Sequence, residues 1–233
     1  MKRNWLDFWE HEDIFREVNW RRNMSLFVKS SRSVMEYEKT DLVLDIGCGP
    51  GYFEEHMHDK VRAICALDTS QRYVNECKER FSRHHNLSFR HLSPDYLDFS
   101  ILEKRTFNKI LCISVVQYYA GREELYRLVK EVKKYALPGA KLLISDIIMK
   151  EKGVLPFLNM MASACRNNYL WEQITFLLRA RFSDYYNCYS QTGLLRFTQD
   201  ELNEFIKNVG EKVTLVDKPL TLDHGRKHLL VEY

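Results

Sequence analysis

The chain has 233 residues, long enough to bury a full core, and reads as a single domain. Hydrophobic residues make up 45% and charged residues 29%, which excludes a disordered chain; a net charge of +3 is too small to argue for a nucleic-acid or membrane partner. The six cysteines are scattered with no C-x-x-C pair, no apolar run reaches the length of a transmembrane helix, and "MKRNWLDFWEHED" has charges where a signal peptide needs apolar residues, so the expected setting is a reducing cytoplasm.

In chain order, residues 1–39 read as helical, with Trp5, Phe8 and Trp9, then Phe15 and Val18, at helical spacing. Short apolar runs then alternate with amphipathic segments. "LVLDI" is a strand and Gly51 to His58 opens a helix. "VRAICALD" is a strand, and Ser70 to His85 is a helix with Val74, Cys77 and Phe81 on one face. "LSFRHL" and "FNKILCISV" are strands, Arg122 to Ala136 is a helix, and "AKLLISDII" is a strand after the turn "LPGA". Residues 149–196 break this order and carry many aromatics. "FTQDELNEFIKNVG" restores it, with Thr198 and Glu201 as a capping box and Gly210 as a stop. "KVTLVD" and "KHLLVEY" are the last strands. The alternation predicts an α/β fold, a mostly parallel sheet with helices on both faces. The predicted divisions are an N-terminal helical lid at 1–39, a core at 40–148, a mainly helical cap insertion at 149–196, and a final helix and two strands at 197–233.

The stretch "VLDIGCGPGYF" carries the chemistry. Three glycines, Gly47, Gly49 and Gly51, follow a strand and precede a helix, which suits a ligand pressed against backbone at a strand's carboxyl end. Asp68 closes the second strand 21 residues after Gly47 (68 − 47), where a carboxylate can accept both hydroxyls of a ribose. A nicotinamide dinucleotide is disfavoured, because Tyr52 stands where the third glycine of G-x-G-x-x-G belongs. A P-loop is disfavoured by the missing lysine.

"VLDIGCGPGYF" with "ALDTS" downstream resembles the first two motifs of the Rossmann-like, class I S-adenosylmethionine (SAM)-dependent methyltransferases of small-molecule type. "FNKILCISVVQYY", "LPGAKLLISDI" and the closing helix follow in the family's order, so the likeness covers roughly residues 40–147 and 197–233. The resemblance implies a seven-stranded sheet whose last strand is antiparallel. It implies that Asp45 and the Gly47, Gly49, Gly51 loop hold the methionyl end. Asp68, with Thr69 beside it, would hold the ribose, and Ser114 would lie beside the cofactor. SAM is the implied cofactor and S-adenosylhomocysteine (SAH) its product. The family often places an acid at the end of the third strand to bind adenine. Here Ser93 aligns with it, and Asp95, with Tyr96 stacking nearby, is the candidate; the alternative is a plain Ser-Pro-Asp turn.

The acceptor is read from the remaining residues. Aromatics crowd the cap, among them Tyr169, Trp171, Phe176, Phe182, Tyr185, Tyr186 and Tyr189, with Arg166, Arg179 and Arg181. Most are expected to pack the insertion onto the sheet; some must wall the acceptor. The candidates for that wall are Trp5, Trp9, Tyr118, Arg166 and Tyr185, suited to a small planar or apolar molecule with an anionic group on an arginine. No histidine lies in 149–196, so the candidate bases are His11, His91, Tyr118 and Tyr119, and the balance favours a nitrogen nucleophile over oxygen. No Asn-Pro-Pro or Asp-Pro-Pro follows the fourth strand, which argues against nucleic-acid bases; a protein acceptor, or SAM binding without transfer, stays open. No metal site is expected, because the paired histidines lack acids or cysteines at ligand spacing. The oligomeric state is not legible.

Overall fold

The computed structural model describes residues 5–11, 18–92, 95–150, 158, 161–162, 164–165, 170–171, 174–175, 178 and 184–233. Strands β1 (Leu42–Ile46), β2 (Ala63–Asp68), β3 (Leu87–His91), β4 (Phe107–Ile113), β5 (Ala136–Ile147), β6 (Lys212–Leu215) and β7 (Lys227–Glu232) form one sheet in the order β3-β2-β1-β4-β5-β7-β6. β7 alone runs against its neighbours, pairing antiparallel with both β5 and β6. The fold is thus Rossmann-like, mostly parallel, and its strand order reverses between β1 and β4. Crevices for ligands open at that reversal, beyond the carboxyl ends of the strands.

Period-two alternation sorts the strand side chains into two layers. On one face Leu44, Ile46, Ile110, Cys112, Leu142 and Ile144 meet α5 (Glu123–Lys133) and α7 (Gln199–Asn208). On the other, Val43, Ile64, Leu111, Ile113 and Leu143 meet Phe27 and Met35 of α2 (Val18–Met35) and Phe53 and Met57 of α3 (Tyr52–Met57). Both faces are covered, which is why the strands read as apolar runs rather than alternating ones.

α4 (Gln71–Arg80) is capped by the Ser70 hydroxyl, which accepts from Tyr73 N. It ends five residues before the predicted His85. Phe81 leaves helical geometry and buries its ring on Phe89, 5.5 Å centroid to centroid, and the charged "SRHHN" that follows has no apolar face to extend. β5 also departs from expectation. It begins at Ala136 and runs through "LPGA" instead of starting after it, because Gly139 takes φ 79° and its N–H donates to the Tyr233 carbonyl, absorbing the turn as a bulge. The Thr198–Glu201 capping box of α7 is complete in both directions. Within 149–196 the described parts include α6 (Asp184–Thr192) and a bridge from Met149 to Phe197. Trp171, read as packed or pocket-lining, is 78% exposed. Among the described residues no helix is long and apolar enough to cross a membrane.

Candidate active site

The glycines of the β1–α3 loop have different reasons to be glycine. All three take positive φ, 81° at Gly47, 51° at Gly49 and 76° at Gly51. A Cβ on Gly47 would lie 2.3 Å from Val115 Cγ2, and one on Gly51 would lie 2.9 Å from both Cys77 Sγ and a Phe81 ring carbon. These two are glycine because the protein itself fills the space. A Cβ on Gly49 would meet nothing within 4 Å, and Gly49 lines a cavity of about 940 Å³. Gly49 is therefore the position where backbone is left bare toward open space.

The loop is held by its neighbours. Gly47 N and Cys48 N donate to the Leu67 carbonyl at 2.8 and 3.0 Å, which carries the chain across the end of β2. Asp68 Oδ2 accepts from Gly49 N at 2.7 Å, and Oδ1 accepts from Ser70 N at 2.8 Å. Burial raises the Asp68 carboxyl above its ordinary range, and these two N–H groups oppose the rise. Each oxygen keeps a second lone pair, and Asp68 lines the cavity.

Behind the loop lies a buried acid pair. Asp45 is the penultimate residue of β1 and Glu54 sits on α3; both are enclosed, and among the described residues no cation pairs with either. Burial is the main cause that pushes Asp45 up to about 7, with the Asp68 charge adding to it and Glu54 opposing it; burial and then Asp45 raise Glu54 well above its usual value. The native state therefore holds protons that the unfolded chain releases near pH 4. Raised acid pKa values stabilise below that range, and the contribution of Asp45 is lost as pH rises from about 4 through about 7, with Glu54 adding a loss in the same direction. Glu54→Gln keeps the shape and removes one titration. Urea unfolding at pH 5, 6.5 and 8 is expected to show the variant gaining on the wild type as pH rises. Parallel pH profiles would mean that the pair does not share this burial.

On the other side of the sheet reversal, Ser114 follows β4 directly, with φ 59°, and its Oγ donates to Asp146 Oδ2 at 2.7 Å. A single 3₁₀ turn, Val116–Tyr118, then brings Tyr118 and Tyr119 into the cavity wall. α1 (Trp5–His11) closes the same cavity with Trp5, Leu6 and Trp9. It is tied down by Trp5 Nε1 donating to the Gly193 carbonyl at 2.9 Å and by Arg72 donating to the carbonyls of Glu10 and Trp9. Trp5 and Trp9 lie 4.9 and 5.4 Å from the Tyr118 ring, and Tyr185 packs on Trp5 at 5.2 Å.

Of the residues singled out from sequence, Gly47, Gly49, Asp68, Thr69, Tyr96, Ser114, Trp5, Trp9, Tyr118 and Tyr119 line this one cavity. Asp45 lines a small adjoining pocket of about 40 Å³ with Trp20 and Asn23. Gly51 and Tyr185 support the wall from behind. Asp95 does not join the cavity lining: its carboxylate pairs with Arg127 of α5 at 2.5 Å, which holds it below its usual range. Instead Tyr96 stands there, stacked on Tyr119 at 5.3 Å. His11 is 68% exposed and bonds to Asp7 on its own helix, and His91 bonds to the Thr69 carbonyl. Arg166 and Ser93 lie outside the described residues. Sequence reading did not pick out Trp20, Tyr73, Arg122, Lys150 and Arg196, which also line the cavity. Lys150 and Arg196 flank predicted elements, and nothing in their local pattern marks them.

Residues 43–139 match the family model described as a methyltransferase domain. N-demethylindolmycin N-methyltransferase of Streptomyces griseus is 26% identical over 103 residues, which are 44% of this chain and 42% of that protein. Chondramide synthase of Chondromyces crocatus is 30% identical over 128 residues, 53% of this chain and 3% of that one. The chain thus spans less than half the length of these curated relatives. The N-methyltransferase NodS of Bradyrhizobium japonicum, solved with SAH, superposes with a TM-score of 0.59 at 15% identity over 97% of this chain and 94% of that one, which shows a shared fold. The residues present fit SAM: Gly49 leaves bare backbone facing the cavity, Asp68 has free lone pairs there, and Asp45 Oδ1 is buried without a hydrogen-bond donor. The match gives residues 43–139 as a methyltransferase domain, the sheet order is Rossmann-like, and the residues at the cavity fit SAM as its cofactor.

Proposed function

We propose that the chain transfers the methyl group of SAM to a nitrogen of a small, aromatic or largely apolar molecule, with oxygen as the second choice of acceptor atom. The observation that carries this reading is a single cavity of about 940 Å³ that joins the glycine loop and Asp68 to the walls of Trp5, Trp9 and Tyr118. Bound SAM supplies a methyl group already activated by its sulfonium. What remains for the protein is alignment and exclusion of water. In this reading Asp68 accepts the ribose hydroxyls with Thr69 beside it, Gly47, Gly49 and Asp45 receive the methionyl end, and Tyr96 flanks the adenine. α1 covers the acceptor side.

The preference for nitrogen follows from the bases at hand. Tyr118 keeps part of its surface open to the cavity, yet its enclosure, with Tyr185 alongside, raises the phenol well above its ordinary value. Burial does the same to Tyr119. Both stay protonated at neutral pH, so neither takes the acceptor's proton, and the buried Tyr119 hydroxyl does not reach the acceptor. A neutral amine needs no such base. N-Demethylindolmycin N-methyltransferase and NodS, both N-methyltransferases by name, support the same choice.

Incubation with methyl-tritiated SAM and a deproteinised extract is expected to move label into a low-mass organic fraction. Label found only on added protein would overturn the small-molecule reading. Label remaining on SAM with every fraction would indicate binding without transfer.

A further inference from the structure

We propose that the acceptor carries a carboxylate and that Arg196 binds it. This rests on the methyltransferase reading above and names the substrate class. The cavity has two chemically different sides. Asp68 ends β2, and the cofactor groups gather there. Arg122, Lys150 and Arg196 line the side beyond β4 and β5. Two of these three cations share one carboxylate: Glu201 takes Lys150 Nζ at 2.7 Å and Arg122 Nη1 at 3.0 Å.

Arg196 has no such partner. Its Nη2 donates to the Tyr189 hydroxyl at 2.6 Å, and its guanidinium carbon lies 5.9 Å from that ring's centroid. Among the described residues no carboxylate pairs with it, and Nε and Nη1 have no acceptor. Asp68, the acid among the cavity-lining residues, stands at the end of β2 on the cofactor side, where it accepts from the N–H groups of Gly49 and Ser70. The β5 side of the cavity is therefore left with a surplus of positive charge and an unfilled planar fork, the geometry that takes a carboxylate through two parallel hydrogen bonds.

The fork stands on fixed backbone. Leu195 N donates to the Gln117 carbonyl at 2.8 Å, Phe197 N to Ile148 O at 2.9 Å, and Lys150 N to Phe197 O at 2.7 Å. The neighbouring Phe197 is 1% exposed. A side chain held this way, beside the aromatic wall of Trp5, Trp9 and Tyr118, selects a planar body that carries an acid.

The test uses indole-3-propionate and indole-3-propionamide, which differ in charge and hardly in shape, titrated calorimetrically into SAH-saturated protein. In the wild type the acid is expected to bind at least about tenfold more tightly than the amide. Arg196→Gln, which can still donate to Tyr189, should reduce that ratio to within about twofold, and Arg196→Lys should keep part of it, with SAH affinity unchanged in both. Equal binding of acid and amide to the wild type, binding of neither, or an unchanged preference in Arg196→Gln overturns the proposal while the methyltransferase reading stands. The wild-type comparison needs no variant, so a misfolded variant does not remove the test. Failure of the wild type to take up SAH overturns both readings.

Discussion

Asp68→Ala is expected to weaken SAH binding by at least about a hundredfold, because a ribose would lose two charge-assisted hydrogen bonds of about 1.5–3 kcal/mol each. A second effect adds to this. Asp68 Oδ2 holds Gly49 N at 2.7 Å, so the alanine variant also releases the backbone that faces the cavity. Asp68→Asn should fall between, since its amide keeps one acceptor oxygen and loses the charge. The sheet should survive in both, because β2 is otherwise packed through Ile64, Ala66 and Leu67, all buried. Circular dichroism and calorimetry on the same samples check this; a folded alanine variant with unchanged SAH affinity would remove Asp68 from the site.

Gly47→Ala and Gly49→Ala are expected to fail in opposite ways. At Gly47 the new Cβ would lie 2.3 Å from Val115 Cγ2 in a backbone at φ 81°. Left-handed backbone costs a non-glycine residue about 1–2 kcal/mol, and overpacking about 1–3 more, so a loss of about 2–5 kcal/mol in stability is predicted. At Gly49 only the backbone cost applies, since the space is open on the protein side. That variant should fold, with a loss of about 1–2 kcal/mol, and lose SAH binding because the methyl group stands in the cavity. Urea unfolding separates the two. Equal stability losses would mean that the loop packs differently from the arrangement described.

Much of this site was legible in the sequence, and for a physical reason. The glycines and Asp68 are constrained locally: strand, tight turn, helix and acid follow one another within a single β-α-β unit, so chain order alone brings them together. The capping box of α7 is likewise a local pattern of four residues. The ion pair of Asp95 was not legible because its partner, Arg127, lies on α5, 32 residues on, and no local pattern marks the pairing. The start of β5 was misread because "LPGA" has turn chemistry, while the pairing of Gly139 with Tyr233 comes from the other end of the chain. The acceptor wall was only partly legible for the same reason. Trp5, Tyr73, Tyr118 and Arg196 come from four separate segments, and only the strand order of the sheet gathers them.

The most direct measurement is calorimetric titration of the wild-type chain with SAH and, separately, with NADH. The glycine loop, with Tyr52 in place of a third dinucleotide glycine and with Asp68 facing the cavity, predicts saturable one-to-one binding of SAH and no heat from NADH. Saturable binding of NADH with none of SAH would contradict the assignment of this site.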